Sequence, residues 1–119
     1  MAGNFNQNII AEFDQSGTDV DTANGDNFTI NRACSVYDAY VVARGATAGN
    51  TQLFHTDDTA SNAITDNIGA NSDQDLSRAG TIDDTKNAFT AGQILCIKKS
   101  TQVQTSTFVL FDATGVTLS

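Results

Sequence analysis

Apolar runs in this chain are short, and each one ends in a cluster of Asn, Asp, Gly, Ser or Thr. The runs cover 8–13, 27–30, 35–43, 52–55, 62–68, 93–98 and 107–112. The breaks include 16–19, 24–26, 45–50, 56–58, 69–73, 91–92 and 99–101. Seven or eight strands of this length with turn signals between them predict an antiparallel β-sandwich or barrel. Residue usage agrees: 16 Thr, 11 Asn, 13 Asp and 9 Gly stand against one Glu, three Lys and five Leu. Strong helix formers other than Ala are scarce and residues suited to pleated surfaces and turns are abundant, so a helical bundle is excluded. The 119 residues suit one all-β domain, with 1–27 as an N-terminal arm and first strand and 28–119 as the β-sandwich.

Side-chain alternation assigns faces. Phe108 and Leu110 oppose Val109 and Phe111, and Ile94 and Cys96 oppose Leu95 and Ile97, so both sides of these strands are apolar. In 35–43, Val36, Asp38, Tyr40 and Val42 are expected on one face and Tyr37, Ala39, Val41 and Ala43 on the other. Two arrangements account for two-faced strands in so small a chain. Either the outer face meets a partner subunit, or it lies under a loop at the end of the sandwich. Leu, Ile, Val and Phe total 27 residues, enough for only a modest core. Segments 1–8 and 14–27 are almost wholly polar around Phe5 and Val20, with Ile9, Ile10 and Phe13 between them. Such a region orders as an arm against a partner, or forms an edge strand and a long loop. Proline is absent, so sheet edges are blunted by Asp, Asn and Lys or paired with another chain. A short helical turn is expected near 81–88, where Thr81 precedes Asp83 and Asp84 as an N-cap.

Several functions are disfavoured. A net charge of −8 offers no cationic surface to displace the counterions of DNA or RNA, or to bind an anionic membrane. No apolar run approaches the roughly 20 residues of a membrane helix. The start, Met1 to Gln7, lacks a basic then apolar signal pattern, which predicts synthesis in the cytoplasm. Cys34 and Cys96 sit singly in apolar runs and are expected as buried free thiols, a bridge requiring neighbouring strands. His55 has no nucleophile elbow in the chain to support it. The aspartates near 19–26, 57–58, 73–75 and 83–84 invite a calcium reading. An EF-hand register begun at Asp19 fails, however, at Ala23, Asn24 and Ile30. Adjacent Asp57 and Asp58 point to opposite sides of a strand and cannot form a glycosidase pair. Turn-forming aspartates are the default, and no catalysis, metal or cofactor is expected. Arg32, Arg44 and Arg78 are isolated cations suited to anchoring an interface or pairing with a surface aspartate.

Three stretches, in order, carry a resemblance. The first is Val36-Tyr37-Asp38-Ala39-Tyr40 running into Gly45-Ala46-Thr47-Ala48-Gly49-Asn50-Thr51. The second is Asn62-Ala63-Ile64-Thr65-Asp66. The third is Arg78-Ala79-Gly80-Thr81-Ile82-Asp83-Asp84 followed by Thr90-Ala91-Gly92-Gln93-Ile94-Leu95. Over residues 28–112 this order resembles the capsid decoration, or cement, proteins of tailed bacteriophages, cyanophages included. The resemblance implies a jelly-roll-like domain, usually trimeric, on the outer surface of the virion head, made in the host cytoplasm. Its implied role is to bind neighbouring major capsid proteins and stabilise the capsid against the pressure of packaged DNA. It carries over no catalytic residues. The candidate contacts are Phe5, Ile9, Ile10 and Phe13 of the arm, with Arg32, Arg44 and Arg78. The alternative is a tail-associated or receptor-recognising, carbohydrate-binding β-sandwich. The lack of Trp and the placement of Tyr37 and Tyr40 within an apolar run argue against it.

Overall fold

Alternation along each strand decides which side chains enter the space between two sheets and which are left outside. The computed structural model describes residues 3–16, 19–45, 49–70, 74–102 and 104–118, with 3–8, 70 and 114–118 as backbone alone. Nine strands run through them: β1 (Gly3–Gln15), β2 (Asp26–Thr29), β3 (Cys34–Ala43), β4 (Gly49–His55), β5 (Ile68–Ala70), β6 (Leu76–Arg78), β7 (Ala88–Phe89), β8 (Ile94–Lys99) and β9 (Thr105–Leu118). One sheet has the order β1-β9-β3-β6, with β7 also on β3; the other has the order β2-β8-β4-β5. All pairings are antiparallel. β7 aside, the chain crosses from one sheet to the other at every connection except that from β4 to β5, which lie in the same sheet.

The core lies between the sheets. Val36, Ala39, Val41 and Ala43 of β3 and Val109, Phe111 and Ala113 of β9 meet Leu53 of β4, Ile68 of β5 and Leu95 and Ile97 of β8. Ile9, Ala11 and Phe13 add the inner side of β1, and Phe13 makes an edge-on contact with Phe28 of β2 at 4.8 Å between centroids. The boundary expected between Asn27 and Phe28 falls inside β2, so both segments belong to one sandwich.

The expected arm is, from Gly3 to Gln15, a strand paired along its length with β9. β3 accompanies β9 only as far as the Ser35–Asp112 pair. Beyond it, residues 3–7 and 113–118 form a two-stranded ribbon with a bulge between Phe5 and Gln7. The longest dimension of the molecule is 52 Å.

Three other expectations change. A bulge between Val36 and Asp38 places Val36 with Ala39, Val41 and Ala43 in the core, and leaves Tyr37 44% exposed. One extra residue shifts the alternation of everything before it. The 62–68 run is not a continuous strand: single bridges at Ala63 and Thr65 precede β5. The 81–88 segment makes no helix. Asp83 instead accepts bonds from the Thr85 N–H (2.9 Å) and hydroxyl (2.6 Å), closing a turn, while the 3-10 turn lies at Ala60–Asn62.

The two-faced β8 is covered by the chain itself. Cys96 points away from the core cluster yet is fully buried. Its thiol donates to the Asn24 carbonyl at 3.4 Å, beneath the turn that ends at Gly25. Burial pushes the Cys96 thiol up to about 11. Cys34 is likewise buried and free, its thiol also raised by burial. Gly25 has φ +82°, and a Cβ there would stand 2.6 Å from Cys96 Sγ. Gly25→Ala is therefore expected to cost about 1–3 kcal/mol in urea unfolding and to open Cys96 to thiol reagents.

Lys99 ends β8 on its inner side, 1% exposed, with its ammonium donating to Thr51 Oγ1 at 2.9 Å. Burial lowers its pKa from 10.5 to about 8, opposed by Asp26. Between those two values the unfolded chain holds the proton that the folded chain has released, so stability rises with pH across that window. Lys99→Met is expected to remove that rise, on the order of 3 kcal/mol, when unfolding is measured at pH 7.5 and pH 10.5.

Candidate interaction surface

The outer side of the five-stranded sheet is built by register. Going across the strands, Asp14, Ser106, Val42 and Leu76 form one row; Glu12, Phe108, Tyr40 and Arg78 the next; Ile10, Leu110 and Asp38 the third. Ile10 is 67% exposed and Leu76 65%, while Phe108, Leu110, Tyr40 and Val42 are half-buried beside them. Tyr37, turned out by the bulge, adjoins this face. No segment among the described residues covers it, in contrast to the outer side of β8. A contiguous apolar area of this kind marks a contact site more often than an ordinary surface.

Two arginines frame the patch. Arg44 follows β3, and its Nη1 donates to Ser106 Oγ at 3.2 Å and Asp14 Oδ1 at 3.1 Å, spanning β3, β9 and β1. Arg78 of β6 grips Asp38 with two parallel bonds, Nε to Oδ1 at 3.1 Å and Nη2 to Oδ2 at 2.9 Å. Its guanidinium also lies 5.7 Å from the centre of the Tyr40 ring. Burial works to raise the Asp38 pKa, but the Arg78 bonds and the Ala39 N–H outweigh it and hold the carboxyl below its usual range. In the next row, half-buried Asp112 leaves Oδ1 without a hydrogen-bond partner among the described residues.

Of the residues expected at an interface, the fold brings Ile10, Arg44 and Arg78 onto this face. Ile9 and Phe13 point inward and pack on the core. Arg32 is half-buried in the β2–β3 loop, away from these rows. Phe5 pairs with Val116 in the ribbon, and its side chain lies outside the described residues. Leu76 was missed because β6 is only three residues long, too short for alternation to register. Tyr37 was missed because a bulge leaves no mark in the pattern.

The other candidate chemistries resolve into structure. His55 ends β4, and its ring stacks on Phe89 with centroids 4.4 Å apart. Nε2 lies 2.9 Å from the Ala88 carbonyl and 3.2 Å from Gln93 Oε1, and Nδ1 2.8 Å from Thr56 Oγ1. Asp21, Asp57 and Asp83 each accept a backbone N–H from two residues on, within a turn, and Asp66 accepts the N–H groups of Gly80 and Thr81 from a distant segment. Among the described residues no three His, Cys, Asp or Glu side chains converge as a metal site. No family model matches this chain, and no curated protein is similar to it.

Arg78 is two-thirds exposed, so solvent weakens its pair with Asp38; Arg78→Ala is still expected to destabilise the fold by leaving the Asp38 carboxylate without its cation. Because the folded Asp38 pKa is depressed, the pair stabilises above 3.8 and its contribution fades as pH falls through the lowered value. The difference between wild type and variant in urea unfolding should shrink accordingly in acid.

Proposed function

We propose that this chain is a structural virion protein of the decoration type, docking on the outer surface of a tailed-phage head and cementing neighbouring major capsid proteins. The observation that carries this reading is the apolar face of the β1-β9-β3-β6 sheet left uncovered by the described residues, with Phe108 and Tyr40 at its centre, Ile10 and Leu76 on its edge strands and charged groups around it. An apolar middle with a polar rim is the anatomy of a protein–protein contact. The Asp112 oxygen left without a partner among the described residues favours a neighbour that brings a donor to this face. The net charge of −8 suits a site outside the head, away from packaged DNA.

In this reading each copy buries about 800 Å² against a neighbour. Trimer mates share the load, and the ribbon of 3–7 with 113–118 reaches across a subunit boundary. Separating capsid subunits then also requires breaking decoration contacts, and many weak attachments sum to a strong one. The role needs no catalytic group or cofactor.

Imaging the native particle, together with the mass of the protein in solution, tests the reading. Ile10→Asp and Leu76→Asp change exposed side chains, so each should shift folding stability by no more than about 0.5 kcal/mol. Both should nevertheless empty the protein from purified heads. Full occupancy on heads with both substitutions in place would defeat the proposal.

A further inference from the structure

The opposite face of the sandwich has a different character. On the outer side of the β2-β8-β4-β5 sheet lies an open groove of about 350 Å³. It is lined by the amides of Asn50, Gln52 and Asn67, with Phe54 and the Lys98–Asp58 pair. Gln52 and Phe54 reach it because their neighbours Thr51 and Leu53 point inward on β4, both fully or nearly fully buried. Its volume stands at the lower end of small-molecule sites, room for a ligand of a few rings at most.

Charge decides the ligand class. Lys98 Nζ sits 2.8 Å from Asp58 Oδ2, so the two cancel. Lys99 also borders the groove, but its ammonium is buried on Thr51 Oγ1. A phosphate or carboxylate ligand would want an uncommitted cation, and a cationic ligand an uncommitted carboxylate; the groove supplies neither. What remains is paired donors and acceptors. An amide presents both side by side, matching hydroxyl groups that both donate and accept. Gln52 Nε2 donates to the Thr65 carbonyl at 2.9 Å, which fixes the amide and leaves Oε1 as an acceptor. Held in place before binding, it loses little freedom on binding. The Asn50 and Asn67 side chains are exposed and make no hydrogen bond among the described residues. Phe54, 4% exposed, and Ala60 add apolar elements to the lining beside the amides.

We infer that this groove binds a neutral saccharide unit, with Asn50, Gln52 and Asn67 bonding its hydroxyls. The binding does not depend on the proposed attachment to a head. Given that attachment through the apolar sheet face, the groove points outward, toward glycans of the medium or a cell surface.

The test titrates isotope-labelled full-length protein with maltose, cellobiose, lactose and diacetylchitobiose, with glucuronate and glucose 6-phosphate as charged controls, followed by NMR. Saturable shifts with a neutral sugar, confined to residues 50–54, 67 and 98, are expected. Gln52→Leu and Asn67→Ala should each weaken binding about tenfold, the worth of one hydrogen bond, while the rest of the spectrum stays that of the folded protein. No shift with any neutral sugar at millimolar concentration, a preference for the charged controls, or shifts mapping to another face would overturn the inference. Occupancy of Asn67→Ala on heads reads the attachment separately, and should equal wild type.

Discussion

The pairing of β1 with β9 joins residues from the two ends of the chain, and the remaining architecture hangs on it. β9 lies between β1 and β3, so the strand that receives the N-terminal segment also carries the middle of the core through Val109, Phe111 and Ala113. Closing so long a loop costs entropy before any contact rewards it. The return comes from Ile9, Ala11 and Phe13, which pack inward on the core. Alternation imposes a second consequence. Every inward residue on these strands has an outward neighbour, and the sandwich has only one inside. Phe108, Leu110 and Ile10 are left on the surface by the same periodicity that buries Val109, Phe111 and Ile9.

The two sheets meet that constraint differently. On β8 the outward Cys96 is hidden by the turn ending at Gly25, where a side chain could not fit. On β9 and β3 the chain provides no such cover among the described residues, and arginines are drawn across the rim instead. Several of the polar residues that dominate the composition hold local structure. Aspartates cap turns, and at one end of the sandwich Gln15 donates to Asp26 at 2.6 Å while Lys99 donates to Thr51. Thr105 and Thr107 leave buried hydroxyl oxygens without partners beside them. Asp21, Asp57 and Asp83 thus hold their own turns, and Asp66 ties a distant segment to the 62–68 stretch.

Alternation and turn chemistry made most of this readable in advance. The runs at 8–13, 35–43 and 107–112 fall within long strands and 93–98 covers most of the six-residue β8, and the two-sided character of β8 and β9 was plain from Cys96 and Phe108. What stayed hidden depends on chain partners far apart in sequence or on elements too brief to have a period. Arg44 finds Asp14 from 30 residues away, and Arg78 finds Asp38 from 40. β6 and β7 are three and two residues long. Tyr37 reached the surface through an inserted residue, and the polar stretch before Ile9 gave no sign that β9 would continue far enough to pair with it. The groove of the second sheet was equally silent, because Asn50, Gln52 and Asn67 read as turn and strand-end residues until β4 and the following loop set them together.

Gly3 stands opposite Leu118. With these two positions side by side, a short link between them would leave the strand pairing intact. Joining those positions by a tight turn would convert the ribbon into a hairpin, with new termini opened at the β3–β4 loop. By the same geometry, any cargo fused to either end would leave from one pole of the molecule, clear of both broad faces.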